Sequence, residues 1–396
     1  MRILYDAKVF RWQAVGGISR YFREIIVRLP ADWSPTVIGQ NESKRHLLAH
    51  PNLKVSTLTA IRPRRFSQPI KTAWWKLRYI RSAEIFHPTY YVLAGGLHFA
   101  DFKCPIVVTV YDFIYAAYSK VIEESAFVLR NQRDAILRAD HLICISKSTE
   151  RELLERYPQK HGNTSVIYLA SSFPLCLDPQ PNTVFEKPTF LFVGGRGTYK
   201  NFMFLLGAFA KACQSHPSIR LCVAGEPLND EERWQSYFLG ISDRVDSEVL
   251  PDEETLRELY RKSVALLYPS QHEGFGMPPL EAMACGTVAV TSNTTSLPEV
   301  VGDGGIMLDP ADESAWTECI LQIACEKIHR GQIIERGRAR VALFSWDEAA
   351  RLHIATYRRF ASTEPCLTVT PNENDIGSPS NPAAPGELAD TGKPLN

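Results

Sequence analysis

The sequence predicts an α/β protein built from two doubly wound domains with parallel sheets. The chain has 396 residues, more than a single domain usually contains. Short apolar runs alternate with helical patterns in its first half, as in βαβ units, and the same alternation restarts in the second half after a proline-rich break. Two separate parallel sheets, each covered by helices, are therefore expected.

The composition is that of an ordinary globular protein. Forty-four Lys and Arg residues balance 44 Asp and Glu residues, and 45% of the chain is hydrophobic, so no nucleic-acid partner is predicted. The nine cysteines include no C-x-x-C pair and are expected to be buried thiols. The N-terminus lacks the long apolar stretch of a signal peptide, and no run reaches the roughly 20 apolar residues of a membrane span. A cytoplasmic protein is expected, either soluble or attached to a membrane from one side.

The first domain is predicted to occupy residues 1–173. Three prolines lie between positions 174 and 181, so the interdomain linker is placed at residues 174–188. The candidate strands of the first domain are residues 2–5, 36–38, 85–87, 106–110, 141–145 and 165–167, and its clearest helical patterns are residues 19–29 and 147–157.

The second domain is predicted at residues 189–345. Residues 346–361 have a helical pattern, whereas residues 362–396 contain six prolines without periodicity and are expected to be disordered. Two open sheets that face each other place the carboxyl ends of their strands along one cleft, so functional residues are sought in loops after strands. The candidate strands of this domain are residues 189–193, 220–224, 264–267, 288–291 and 306–308.

The most informative loop follows the strand at 264–267 and continues into a helix. It contains Glu273 and Glu281, eight positions apart, and two prolines at the start of the helix, where proline is tolerated. The free N–H groups of a helix start suit an anionic diphosphate, and the two carboxylates can reach different hydroxyls of one extended ligand. The plainer alternative is that Glu273 and Glu281 are only a helix-start carboxylate and a surface glutamate. The other candidate ligand contacts of this loop are Gly274, Phe275, Gly276 and Met277.

Two further glycine loops are candidate phosphate sites. The strand at 189–193 is followed by Arg196 and Lys200, two cations that suit an anionic ligand. Gly16 and Gly17 precede a predicted helix, where glycine lets the backbone approach a ligand closely. The alternative for Arg196 and Lys200 is that both are solvated bases. The alternative for Gly16 and Gly17 is a simple turn.

Four more polar residues are candidates because they lie at or after strand ends. Tyr111 and Asp112 follow the strand at 106–110, and His87 ends another strand. Glu299 belongs to a Ser-x-Pro-Glu element that follows the strand at 288–291. A strand-end cap explains Tyr111 and Asp112 about as simply. A structural role explains His87, and a turn or cap explains Glu299.

These motifs together resemble the retaining glycosyltransferases of family 4, also called glycosyl transferases group 1, which have the GT-B fold of two Rossmann-like domains facing a cleft. The resemblance is most specific at residues 269–286, PSQHEGFGMPPLEAMACG. It implies that Glu273 holds hydroxyls of the donor sugar, that Glu281 holds the nucleotide ribose, and that Arg196 and Lys200 grip the diphosphate. It also implies an acceptor-binding first domain, a donor-binding second domain and a last helix that crosses back to the first.

The resemblance extends to the weaker motifs. It implies that the loop of Gly16 and Gly17 closes over the donor phosphate, that Asp112 is a polar residue of the cleft, and that Glu299 contacts the nucleotide side. Many family members carry His-Asp where this chain has Tyr111 and Asp112. Tyr111 is therefore assigned, with His87, only to the acceptor side.

The implied reaction is transfer of a hexose, with mannose the best match, from a GDP- or UDP-linked sugar to a saccharide or lipid-linked acceptor. The anomeric configuration is retained, and no metal or further cofactor is expected. Front-face attack is favoured because no motif side chain is an obvious nucleophile. Similar bacterial enzymes build cell-surface polysaccharide and lipopolysaccharide. A non-catalytic sugar-nucleotide-binding protein and a sugar-nucleotide epimerase of the same architecture are the alternatives.

A basic segment with interleaved aromatic residues spans residues 62–81. On a helix, Ile70, Trp74 and Leu77 share one face, with the basic residues elsewhere. That layout is typical of an amphipathic helix packed on a sheet, which is the favoured interpretation, and also of an interfacial helix on anionic lipid. Peripheral contact with the cytoplasmic face of the inner membrane is therefore left open.

Overall fold

The structure is a computed structural model that describes residues 1–12, 16–40, 48–57, 64–122, 125–176, 185–249 and 252–361. The predicted tail and the middle of the predicted linker, residues 177–184, lie outside the described residues. Within the described ranges the chain forms two α/β domains whose sheets are parallel throughout, which confirms the predicted fold class.

The described part of the first domain contains seven parallel strands. Four of them form a sheet in the order β3-β2-β1-β4, three form the order β5-β6-β7, and a parallel bridge between Phe86 and Ile106 joins the two groups. The strands are β1 (Ile3–Asp6), β2 (Thr36–Gln40), β3 (Lys54–Thr57), β4 (Ile85–Phe86), β5 (Val107–Val110), β6 (His141–Cys144) and β7 (Thr164–Val166). The helices are α1 (Lys8–Trp12), α2 (Gly17–Val27), α3 (Arg64–Arg78), α4 (Ile114–Ala117), α5 (Ser125–Arg138) and α6 (Lys147–Arg156).

The second domain repeats the same plan with six strands in the order β10-β9-β8-β11-β12-β13. In each domain the direction of strand addition reverses once, between β1 and β4 and between β8 and β11, and such reversals leave a crevice at the carboxyl ends of the strands. The strands are β8 (Thr189–Val193), β9 (Arg220–Gly225), β10 (Val245–Val249), β11 (Ala265–Tyr268), β12 (Val288–Ser292) and β13 (Ile306–Leu308). The helices are α7 (Phe202–Ser215), α8 (Asp230–Phe238), α9 (Glu253–Lys262), α10 (Met277–Ala284), α11 (Leu297–Val301), α12 (Glu313–Ala324) and α13 (Arg330–Val341).

The last helix, α14 (Trp346–Ala361), lies against the first domain through a buried polar network. The Tyr357 hydroxyl lies 2.7 Å from His87 Nδ1 and 3.3 Å from the Tyr5 hydroxyl, and His353 Nε2 lies 2.5 Å from the Tyr21 hydroxyl. All five side chains are almost completely buried. Because buried polar groups require partners, this network fixes α14 on the first domain.

The two domains touch where the loop after β11 meets the end of β5. Thr149 Oγ1 on α6 donates to the Gly274 carbonyl oxygen at 3.2 Å, and a Cβ atom at Gly274 would lie only 1.9 Å from the Tyr111 carbonyl oxygen. Glu299 on α11 adds a second contact, since its carboxylate accepts from the Lys147 and Ser148 amides at 2.9 and 2.8 Å. A carboxylate is favourable at a helix N-terminus such as that of α6.

Among the described helices, none is both long enough and apolar enough to cross a bilayer.

The stability of the fold is expected to fall as the pH drops from 6.5 towards 4. Burial lowers the pKa of His353 to about 4 and holds the pKa of His87 well below 6.5, so the unfolded chain binds more protons in this range. Each histidine that stays neutral in the fold lowers the free energy of unfolding by about 2 kcal/mol at pH 5.0 relative to pH 7.5. Urea unfolding at the two pH values measures the difference. His353→Gln should reduce this dependence, and the exposed His161→Gln should not; equal dependence in all three proteins would contradict the assignment.

Gly274→Ala is expected to separate the domains. The new methyl group would overlap the Tyr111 carbonyl oxygen, which is backbone and cannot rotate away, so the contact must open at a cost of about 1–3 kcal/mol. Small-angle scattering should show a larger radius of gyration, and thermal unfolding a lower midpoint. The matched control is Gly331→Ala, because a Cβ atom there meets nothing within 4 Å. Identical scattering of wild type and Gly274→Ala would show that the close approach is not needed.

Candidate active site

A cavity of about 400 Å³ lies between the domains, at the point where both sheets reverse their strand order. Its volume lies within the range of small-molecule sites, and most of its wall is aromatic or glycine backbone. The first domain contributes, among others, Trp12, Gly17, Ile18, Tyr21, Tyr90, Tyr91, Tyr111, Asp112 and Tyr115, and the second contributes Val193, Gly194, Tyr199, Lys200, Tyr268, Glu273, Gly274, Phe275, Gly276, Met277 and Pro278.

The polar centre of the cavity is a cluster of three side chains from the second domain. Lys200 Nζ donates to Glu273 Oε1 and to the Tyr268 hydroxyl, both at 2.6 Å, and the Tyr268 hydroxyl donates to the same carboxylate oxygen at 2.7 Å. The Lys200 and Glu273 side chains are 14% and 10% exposed, so the pair is largely shielded from water. Burial and the adjacent Glu273 carboxylate hold the pKa of Tyr268 well above 10. Tyr268 is therefore a neutral donor in this cluster.

The backbone around Glu273 is held by hydroxyl groups of the next loop. The Glu273 amide donates to Thr295 Oγ1 at 3.0 Å, and Ser296 Oγ donates to the Glu273 and Phe275 carbonyl oxygens at 2.9 and 2.8 Å. Thr295 adopts φ 48°, a left-handed conformation that is unfavourable for a β-branched residue. Such strain persists where the surroundings fix it and clusters at functional sites.

Gly276 allows α10 to begin at the cavity. Its φ of 112° suits glycine, and a Cβ atom there would lie 2.7 Å from Leu297 Cδ2. Met277 and Pro278, which open α10, line the cavity, as do Gly17 and Ile18 at the start of α2. The N-termini of two helices therefore point their partial positive charge towards the same space.

The first domain closes the cavity with Tyr111 and Asp112. Although Tyr111 lines the wall, its hydroxyl donates to the Thr89 carbonyl oxygen at 2.9 Å, so this group is engaged within the first domain. The Asp112 carboxylate accepts from the Ile114 amide at 3.1 Å, and burial raises its pKa. The structure thus brings both residues to the cavity, with the aromatic face of Tyr111 rather than its hydroxyl available there.

Arg196 lies apart from Lys200 and does not line the cavity. Its Nε donates to Glu232 Oε1 at 2.7 Å, and its terminal nitrogens donate to the Glu226 and Pro227 carbonyl oxygens at 3.0 and 2.6 Å. The side chain is only 6% exposed. A grip of Arg196 on a diphosphate, as the resemblance implies, would require it to leave these partners.

Glu281 is also engaged elsewhere and does not line the cavity. Its Oε1 accepts from Arg20 on α2 at 2.8 Å, and its Oε2 accepts from the Tyr260 hydroxyl at 3.1 Å. Burial raises the pKa of Glu281, although Arg20 and Tyr260 act in the opposite direction. The carboxylate expected to hold the ribose is thus paired with the first domain.

Three other candidates lie outside the cavity lining. His87 is fully buried, with its Nδ1 at the Tyr357 hydroxyl and its Nε2 2.8 Å from Thr109 Oγ1, so it stabilises the first domain. The Glu299 carboxylate caps α6 rather than facing the cavity. The Gly16 carbonyl accepts from the Arg20 amide at 3.0 Å, which starts α2.

Sequence reasoning missed Tyr268, Thr295 and Arg20. Tyr268 ends the otherwise aliphatic strand β11, which is a usable signal because the carboxyl ends of strands face the crevice. The strained backbone of Thr295 leaves no trace in the sequence. Arg20 lies one turn into α2, and its contact with Glu281 joins residues 261 positions apart, so only the folded structure reveals it.

Two family models match the chain, one for each domain. The model described as Glycosyltransferase Family 4 matches residues 15–170, and the model described as Glycosyl transferases group 1 matches residues 178–340. The two matches adjoin at the predicted linker and together cover most of the chain, including both loops of the second domain that line the cavity.

Curated relatives match over shorter segments. The chain is 45% identical over 109 residues to O-antigen chain mannosyltransferase B of Escherichia coli, a segment that covers 28% of this chain and 28% of that protein. It is 35% identical over 125 residues to the serotype-specific mannosyltransferase WbdA of Escherichia coli, which covers 32% of this chain and 15% of that protein. The matched segments therefore span less than a third of either relative.

A solved structure matches the fold over nearly the whole chain. The sucrose-phosphate synthase of Thermosynechococcus elongatus superposes with a TM-score of 0.72 at 21% identity, covering 91% of this chain and 98% of that one. At this identity the likeness concerns the fold alone. With both domains matched by family models and the architecture matched by this structure, the chain belongs to the family 4 glycosyltransferases, the glycosyl transferases group 1, and has their two-domain GT-B fold.

Proposed function

We propose that the chain is a retaining glycosyltransferase that moves a hexose, best matched by mannose, from a GDP- or UDP-linked sugar to a saccharide or lipid-linked acceptor. The acceptor belongs to a growing cell-surface polysaccharide or lipopolysaccharide. The observation that supports this proposal most strongly is the interdomain cavity, in which the buried Lys200–Glu273–Tyr268 cluster faces the starts of α2 and α10.

The donor fits this cavity by charge. A diphosphate would take Lys200 and the N-termini of the two helices as its counter-charges, because backbone N–H groups at a helix start bind phosphate. The Glu273 carboxylate, now paired with Lys200, would accept hydroxyl groups of the sugar. Donor binding would thus replace one carboxylate–ammonium contact by a phosphate–ammonium contact and sugar–carboxylate hydrogen bonds, so both Lys200 and Glu273 keep hydrogen-bond partners.

The reaction would proceed by front-face attack. The acceptor oxygen forms a bond to the anomeric carbon as the bond from that carbon to the diphosphate oxygen breaks, and the departing diphosphate takes the acceptor proton. Lys200 and the helix starts stabilise the charge that develops on the leaving group. Glu273 Oε1 already accepts two hydrogen bonds, which supports a binding role rather than nucleophilic attack. No step is assigned to a metal ion.

Mannose and the polysaccharide acceptor are supported by the relatives and by the cavity rim. Both relatives with the stated identities are named as mannosyltransferases, one of O-antigen chains. Trp12, 62% exposed, lines the mouth of the cavity, and its ring lies 5.4 Å from that of Tyr90 in an edge-to-face arrangement. An exposed aromatic face offers an apolar platform for the C–H groups of a sugar ring.

Turnover is expected to depend on both members of the ion pair. Lys200→Met and Glu273→Gln should each lower kcat by ~10²- to 10³-fold, because each removes a contact to the donor that strengthens in the transition state. The assay incubates the protein with GDP- and UDP-sugars, GDP-mannose first, and follows nucleotide release by mass spectrometry with and without mannoside acceptors. The control is Lys211→Met on α7, which removes a largely exposed lysine paired with Glu313 on α12.

Four outcomes of this assay would contradict the proposal. Binding without acceptor-stimulated release would favour a non-catalytic protein, and an epimerised free nucleotide sugar would favour the epimerase. Inversion at the anomeric carbon, read from the proton coupling constant of the product, would exclude retention. Full turnover of Lys200→Met would remove the cluster from the mechanism.

We also propose that α3 touches anionic lipid, which would bring the cavity close to a membrane-bound acceptor. The helix packs on its domain through Trp75, whose indole N–H donates to Ser56 Oγ at 2.8 Å. The face predicted to pack is instead turned outward, with Ile70, Trp74 and Leu77 49%, 48% and 65% exposed. Exposed apolar residues beside basic ones are typical of an interfacial helix.

Trp74→Ser combined with Leu77→Ser is expected to lower vesicle binding by at least about ten-fold, since each buried side chain contributes roughly 1.5–3 kcal/mol. Flotation with vesicles of phosphatidylethanolamine and phosphatidylglycerol measures the bound fraction. Trp234→Ser is the matched control, because Trp234 is 61% exposed on α8 of the other domain, next to acidic residues. Equal flotation of the double variant and wild type, or a wild type that ignores these vesicles, would exclude lipid contact through α3.

A further inference from the structure

Arg20 connects the two domains through the carboxylate that the nucleotide would need. Its Nη1 lies 2.8 Å from Glu281 Oε1 on α10 and its Nη2 lies 2.9 Å from Glu253 Oε1 on α9. The guanidinium group also lies 5.9 Å from the centre of the Phe173 ring, and the side chain is 11% exposed. Although burial disfavours its charge, the two carboxylates raise the pKa of Arg20. A single side chain of the first domain thus contacts two helices of the second domain.

The same contact closes access to Glu281. Its side chain is 7% exposed, Arg20 occupies one carboxylate oxygen and the Tyr260 hydroxyl occupies the other. Glu273, eight residues earlier, faces the cavity, whereas Glu281 does not. A hydroxyl group of a ligand can therefore reach Glu281 only if Arg20 moves away from it.

The two partners of Arg20 differ in exposure. The Glu253 side chain is 50% exposed at the start of α9, so its ion pair with Arg20 can persist while the other end of the guanidinium group lets go of the buried Glu281. Leaving a buried charge without a partner is costly, so release is favourable only when another donor replaces Arg20 on Glu281. The ribose hydroxyls of a nucleotide are such donors.

We propose that Arg20 is a positioning residue that holds Glu281 while the donor site is empty and yields it to the ribose of an incoming nucleoside diphosphate. This exchange rests on the proposed function, since it assigns the ribose to Glu281. Because Gly17 and Ile18 of the same helix line the cavity, release of Arg20 from Glu281 lets α2 adjust to the diphosphate in the same event. Occupation of the ribose site and the position of α2 are thereby coupled.

The exchange makes the affinity for nucleotide rise when Arg20 is removed. With Arg20→Gln the ribose no longer competes with an ion pair, so the dissociation constants of GDP and UDP should fall about ten-fold, which corresponds to about 1.4 kcal/mol. The thermal midpoint of the free protein should fall at the same time, because an interdomain contact is lost. A purely structural role would weaken both stability and binding, so the opposite signs identify the exchange.

Titration calorimetry with GDP and UDP tests this on the full chain. Arg23→Gln is the matched control. It makes the same change of charge about one turn further along α2 and should leave the dissociation constants unchanged. Arg20→Lys, which keeps the charge, should bind nucleotide as wild type does. Glu253→Gln removes the partner that keeps Arg20 while it leaves Glu281, so it should weaken nucleotide binding, which keeps the test available if Arg20→Gln does not fold.

The outcomes separate this inference from the proposed function. If wild type binds neither nucleotide, the proposed function and the exchange are both wrong. If wild type binds one of them and Arg20→Gln binds it equally or more weakly, or Glu253→Gln binds it equally or more tightly, only the exchange is wrong, and Arg20 would then be a direct ligand of the donor or a structural residue. Tighter binding by Arg23→Gln as well would show a non-specific effect of charge and would also overturn the exchange.

Discussion

The close approach of the loop after β11 to the end of β5 is the constraint on which the candidate site depends. The cavity is formed by both domains, and Gly274 allows their backbones to meet because even a methyl group would collide with the Tyr111 carbonyl oxygen. The same loop positions Glu273 beside Lys200, while Thr295 and Ser296 fix its backbone. A single glycine thus couples the domain contact to the geometry of the ion pair.

Three buried ion pairs lie in and around the candidate site. Lys200 is paired with Glu273, Arg196 with Glu232 and Arg20 with Glu281, and in each pair both side chains are no more than 14% exposed. Unpaired charges in such surroundings would cost several kcal/mol each. A diphosphate sugar carries both anionic oxygens and hydroxyl donors, so it can replace either member of a pair. This complementarity favours a charged and hydroxyl-rich ligand over an apolar one.

The sequence was sufficient for the parts of the molecule that depend on local pattern. The buried strands were predicted from their apolar runs, and the loop at 269–276 was predicted from the glycines that follow one of these runs. The edge strands β3 and β10 were missed, since their sequences KVST and VDSEV are polar, and β10 is mostly exposed. The pairing of His87 with Tyr357 and of Arg20 with Glu281 joins distant parts of the chain. No local pattern encodes such contacts, so the sequence could not tell cavity-lining residues from buried structural ones.

The path of the chain determines which contacts can break when a ligand enters. The chain passes between the domains twice, once in the segment before β8 and once between α13 and α14, and α14 is tied to the first domain by the buried network of Tyr357, His353 and their partners. Hinge motions between domains are in general absorbed by residues at element ends. Among the described residues, the contacts between the domains include polar ones, such as the amide cap by Glu299, the Thr149 hydrogen bond and the bridge of Arg20. They also include aromatic ones, such as the packing of Tyr168 against Phe275. Polar contacts can exchange partners with a ligand at little cost, whereas a packed apolar contact cannot. The polar contacts between the domains are therefore the ones that a donor can replace on entry.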